Sequence, residues 1–116
     1  MKERSAVLFV LFWLLAFVPA VAAGAGPVDL PAALSHIEFS GGDGASCEEP
    51  VVVVNAQSTS EGNAAQNAYL KAAFPQARIR VKALTGEDGK YFEVVEFSDG
   101  AAIKRICFDI SGYFGT

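Results

Sequence analysis

An unbroken apolar run from Ala6 to Val18 follows the charges Lys2 and Arg4, and Pro19 then leads into the small residues of Val21-Ala22-Ala23. A charged start, an apolar stretch and small residues, in that order, predict a secretory signal peptide over residues 1–23. An uncleaved anchor is the competing reading, but it needs roughly twenty apolar residues to cross a bilayer and this run has thirteen. No cysteine stands beside the expected cleavage site, which argues against a lipid-modified start. Residues 24–34 are rich in Gly, Pro and Ala without any period and read as a flexible lead-in. A single domain is expected over 35–116.

Inside that domain the hydrophobic period alternates between two values. His36-Ile37-Glu38-Phe39 alternates polar and apolar, as a half-buried strand does. Gly41 to Ser46 holds three glycines and predicts a loop. Val51-Val52-Val53-Val54 is a continuous β-branched run, suited to a strand inside the sheet. Ser58-Thr59-Ser60-Glu61 fits a capping box, and the helix it opens is expected to run to Phe74, where Pro75 stops it. Its apolar stripe reads as Ala65, Ala68, Tyr69, Ala72 and Ala73, with Gln66, Asn67 and Lys71 outside.

The last third predicts a three-stranded meander with turns at Gly86-Glu87-Asp88-Gly89 and Asp99-Gly100. A four-residue first turn pairs Val81 with Val94 and Lys82 with Glu93; the second turn pairs Val94 with Arg105 and Phe92 with Cys107. One face then carries Ile79, Val81, Ala83, Phe92, Val94, Ile103 and Cys107. Its apolar character assigns it to the helix. The other face mixes Arg78, Arg80, Lys82, Glu93 and Lys104 with Leu84, Tyr91, Val95, Phe97, Ile106 and Phe108. The expected fold is α+β: one small domain, a mostly antiparallel sheet of about five strands, and one helix on one face.

Charge and cysteine content narrow the function classes. After residue 23 the chain carries seven basic and twelve acidic residues. A net negative domain has no electrostatic reason to bind nucleic acid or anionic lipid. No membrane association is expected once the signal is removed. Cys47 and Cys107 are an even pair in a small exported chain and read as a disulfide, with two free thiols as the alternative. There is no C-x-x-C redox motif, and P-loop, dinucleotide and G-x-S-x-G patterns are also absent.

Two segments are candidates for function. Asp43, Ser46 and Glu48 in the glycine loop, with Asp109 at the chain's other end, form a candidate loop site. It reads first as a structural turn and second as a cation site held by Asp43, Glu48 and Glu49, or a site for another ligand, since hard ions prefer several oxygen donors. A Cys47–His36 dyad is chemically conceivable but conflicts with the disulfide. A metal held by His36 and two thiolates lacks a fourth ligand, so neither metal nor cofactor is expected. The mixed face offers Arg80, Lys82, Tyr91 and Phe97 as a candidate interface. Ordinary cross-strand pairing, or cover by Tyr113 and Phe114 of the tail, are the other readings of that face.

The order Ile37-Glu38-Phe39-Ser40-Gly41-Gly42-Asp43-Gly44, then Ser46-Cys47-Glu48 and the valine run, then Phe108-Asp109-Ile110-Ser111 and Phe114-Gly115, resembles a family of small bacterial proteins of unknown function. The family pattern is GGDGxSxExAVVI, then a helix, then YFDIxxFFG. This chain departs from it at Pro50, in place of Ala, and at Cys107, in place of Tyr. The resemblance implies that the Gly41–Ser46 loop and the Phe108–Ser111 end form one structural feature. It brings no activity and no catalytic residue.

The expected function is a non-enzymatic exported module, in the periplasm or outside the cell, that binds an exported or envelope protein. The alternative is a small hydrolase or a ligand- or cation-binding protein working at the Asp43–Glu49 loop.

Overall fold

The structure is a computed structural model that describes residues 28–115. The expected signal peptide and the first part of the lead-in lie outside the described residues. Five strands form one sheet: β1 (Glu38–Gly41), β2 (Val51–Val54), β3 (Ala77–Glu87), β4 (Lys90–Asp99) and β5 (Ala102–Asp109), with one helix, α1 (Thr59–Ala73). The spatial order is β1-β2-β5-β4-β3, antiparallel throughout except for the β2–β5 pair. This is the expected α+β arrangement. The valine run is interior, between β1 and β5, with Val51 and Val53 buried. No described helix is long and apolar enough to cross a membrane.

The lead-in differs from expectation over its described part. Ala32–Leu34 forms a 3-10 turn closed by Leu34 N–H to Pro31 O, and Val28, Leu30 and Leu34 pack against the core. Three apolar side chains with a core to cover are reason enough for that segment to settle.

Turn chemistry sets the register of the meander. Asp88 and Gly89 both have positive φ, so they alone form a two-residue hairpin turn, closed by Glu87 and Lys90. The second hairpin closes at Asp99 and Ala102, with Gly100 at positive φ. Both registers therefore sit two residues away from the expected ones: Ala83 pairs with Val94, and Val94 with Cys107. A two-residue shift keeps each side chain on its face. The exception is a β-bulge between Ile79 and Val81, which puts Ile79 opposite Phe97 and moves it to the helix side.

The helix covers the face expected to be mixed, and this is the main correction. Val95, Phe97, Ile106 and Phe108 are core, Phe97 and Phe108 wholly so, whereas Val81 and Ile103 are half exposed on the other face. Buried area explains the choice. Phenylalanine removes roughly 150–250 Å² from water, more than valine or isoleucine offers, so the face bearing Phe97 and Phe108 gains more from cover. Its charges are accommodated at the margin. Lys104 lies 5.0 Å over the Phe74 ring, and the Glu93 carboxylate accepts a hydrogen bond from Gln66.

Candidate binding face

The residues of the expected loop site serve turns of the backbone. Asp43 Oδ1 accepts from the Ala45 N–H at 2.9 Å, Ser46 Oγ accepts from the Glu48 N–H at 3.2 Å, and Asp109 Oδ1 accepts from the Ser111 N–H at 2.9 Å. These are the side-chain turns that Asp and Ser favour. The loop lies against the sheet: Gly44 O accepts from the Cys107 N–H at 2.8 Å, and Cys47 is joined to Cys107 with Cα atoms 5.3 Å apart. A Cβ on Gly44 would come within 2.5 Å of the Ile106 side chain, so only glycine allows this approach. Loop and strand end are thus brought together.

A cavity of about 340 Å³ opens beside the loop, lined by Val28, Leu30, Ile37, Phe39, Val51 and Tyr69 along with Ser40, Gly41 and Gly42. Asp43, Ser46, Glu48 and Asp109 are not part of its wall. Among the described residues no cluster of His, Cys, Asp and Glu is placed to hold a metal ion.

His36 is committed to the helix start. Its Nε2 lies 2.8 Å from Glu61 Oε1, which also accepts from the Gln57 N–H at 3.0 Å. The Gln57 amide first, and the His36 contact second, hold the Glu61 carboxyl below its ordinary pKa. With His36 bound there and both cysteines in the disulfide, the two do not form a dyad.

The four expected interface residues do not share a surface. Phe97 is wholly buried and belongs to the core. Tyr91 stacks on Phe114 with ring centres 4.4 Å apart, so the tail covers it in part. Lys82 pairs with Val95 and so points to the helix side, whereas Arg80, displaced by the bulge, reaches Glu96 on the opposite side.

What the helix leaves open is a different surface. Alternation from the buried Val95, Phe97, Ile106 and Phe108 puts Val81, Ala83, Val94, Glu96, Ile103 and Arg105 together on the far side. The Glu96 carboxylate sits between Arg80 Nε at 3.5 Å and Arg105 Nε at 3.4 Å, and Arg78 stands opposite Ser98 nearby. Val81 and Ile103 are 53% and 51% exposed beside them. At the disulfide end of this face Phe92 and Cys107 are buried. Three arginines and one carboxylate make this end of the face, at the start of β3, locally basic in an otherwise acidic domain.

Reasoning from sequence missed Arg105 and Ile103. Alternation does put residues 103 and 105 on the face opposite Ile106 and Phe108, but nothing local says which of the two faces stays open. The displacement of Arg80 had no signal, because nothing in Arg78-Ile79-Arg80-Val81 marks a bulge. In comparisons with known proteins, no family model, curated protein or solved structure matches the chain.

Proposed function

We propose that this protein is an exported, non-enzymatic binding module of the bacterial cell envelope, working through the open face of its sheet on an acidic protein surface. The observation that carries the reading is the half-exposed pair Val81 and Ile103, set among Arg78, Arg80 and Arg105. Arginine is enriched at protein interfaces and its planar fork matches carboxylates, while exposed aliphatic side chains gain from being covered. The signal-like residues 1–23 and the Cys47–Cys107 bridge support export. The resemblance to a family of small bacterial proteins of unknown function adds no activity to this reading.

Stability does not require these arginines, because exposed ion pairs contribute under about 1 kcal/mol. The double variant Arg105→Ala/Ile103→Ser is therefore expected to keep its melting temperature within a few degrees. It should lose, at least tenfold, the protein that wild type retains when cross-linked in native envelope. The control Lys71→Ala, on the helix, should retain it. If the double variant captures the same protein as well as wild type does, the open face is not the working surface.

A further inference from the structure

We infer that β3 pairs with β3 of a second copy, antiparallel about a two-fold axis at Ala83, joining two five-stranded sheets into one. Three observations lead there. β3 is the longest strand, eleven residues, and stands at the sheet edge with no described strand beyond it. Such an edge presents a row of backbone donors and acceptors ready to pair. The opposite edge, β1, has only four residues.

The second observation is which backbone groups point outward. Glu87 and Lys90 close the two-residue turn and so bond to each other. Counting back by twos, Thr85, Ala83 and Val81 also face β4. The N–H and C=O groups of Lys82, Leu84 and Gly86 therefore face outward. The bulge limits the flat part of the strand to residues 81–87.

The third is charge. β3 is basic at its start, with Arg78, Arg80 and Lys82, and ends in Glu87 beside Asp88. Run antiparallel against itself, it sets its basic start beside its own acidic end. A two-fold axis keeps each sheet face on one side, so only registers differing by two residues are open. An axis at Lys82 sets two ammonium groups directly opposite, which is repulsive. An axis at Leu84 carries Arg78 past the end of the partner strand. The axis at Ala83 sets Lys82 opposite Leu84 and Val81 opposite Thr85 and, with the bulge counted as one ladder position, brings Arg78 to Glu87 at the end of the partner strand. Lys82 and Leu84, both facing outward, then form the hydrogen-bonded pairs. The small Ala83 falls at a close-approach pair, where opposing Cα atoms come within about 4.5 Å. Half-exposed Val81 and Leu84 both gain cover.

A lone strand pair buries less than the about 1,200 Å² of a standard interface, so the dimer is expected to be reversible. The two open faces lie on the same side of the joined sheet, which would make binding bivalent.

Cysteine placement tests the register on the exported protein. With Cys47 and Cys107 already joined, Ala83→Cys adds a single free thiol, close enough to its copy to form a disulfide. Thr85→Cys is on the same face and as exposed, yet its copy lies about four residues away along the strand, roughly 13 Å. Under mild oxidation Ala83→Cys should give a covalent dimer at least about tenfold more abundant than Thr85→Cys does. In sedimentation, wild type should double in mass as concentration rises. Leu84→Pro should stay monomeric and folded, because the N–H it removes faces away from β4. Equal cross-linking at both positions overturns the proposal, and so does a wild type that stays monomeric up to millimolar concentration.

Discussion

Tyr113 closes the core from the end of the chain, 2% exposed, and its hydroxyl accepts a hydrogen bond from Gln66 Nε2 at 2.7 Å. The same amide nitrogen donates to Glu93 Oε1 at 3.0 Å, while Gln66 Oε1 is buried with no hydrogen bond from the described residues. Burial drives the Tyr113 hydroxyl from its ordinary value near 10 up to about 12. The Glu93 charge adds to the rise, and the Gln66 hydrogen bond opposes it. The fold therefore favours the neutral phenol. The resulting stability is fully present below the unfolded pKa of about 10 and is lost as pH rises through about 12. Melting curves between pH 9 and 12 should show wild type falling more steeply than Tyr113→Phe, in which nothing at that position ionises. Parallel alkaline slopes for the two proteins would mean that Tyr113 ionises as freely in the fold as in the unfolded chain.

Helix α1 shows how far an element can be read from its own residues. Its start was legible: Ser58 Oγ accepts from the Glu61 N–H at 3.1 Å, as the capping pattern predicts. Its buried face was only partly so, because the buried set is Gly62, Ala65, Gln66, Tyr69 and Leu70. The expected stripe shares Ala65 and Tyr69 with that set and is rotated about one residue from it. A helix this rich in alanine leaves the choice to tertiary partners. Gln66 is inside because Tyr113 and Glu93 receive it, and both lie far along the chain. Gly62 shows the same dependence, since a Cβ there would sit 2.1 Å from the Tyr113 ring. Alanine in a helix interior gains up to about 1 kcal/mol over glycine, whereas forcing a methyl into a packed core costs about 1–3 kcal/mol. Packing wins, so Gly62→Ala should lower the melting temperature despite its better helix propensity. Gly62→Ala combined with Tyr113→Ala should recover the propensity gain relative to Tyr113→Ala alone. A stabilised single variant would show that the tail yields easily.

Across the whole molecule, strand order within the meander and the membership of its two faces, apart from Ile79 and Arg80 at the bulge, were legible from turn residues and alternation. Which face the helix would cover was not. Local charge at Lys82, Glu93 and Lys104 argued for solvent, and only the assembled sheet shows each of them at the margin of the helix. The site followed the same error, since exchanging the faces exchanges core for surface. The disulfide, by contrast, was legible, because the expected compartment and the even cysteine count sufficed without geometry. It links residues 60 apart and fastens the Gly42–Glu49 loop to β5, where two other backbone hydrogen bonds within the turn, Gly42 N–H to Pro50 O and Gly44 N–H to Glu49 O, shape the loop itself. Closing a loop that long stabilises by roughly 4 kcal/mol through the unfolded chain. In a domain of this size that corresponds to a melting temperature lower by about 15 °C or more after reduction. The hydrophobic core lies on the other side of the sheet and does not include either cysteine, so the reduced protein should remain folded at 25 °C. Its first protease cuts should fall between residues 42 and 49, while α1 and the meander stay intact. A reduced protein with an unchanged melting temperature would show that the Gly44–Cys107 backbone contact alone holds the loop in place.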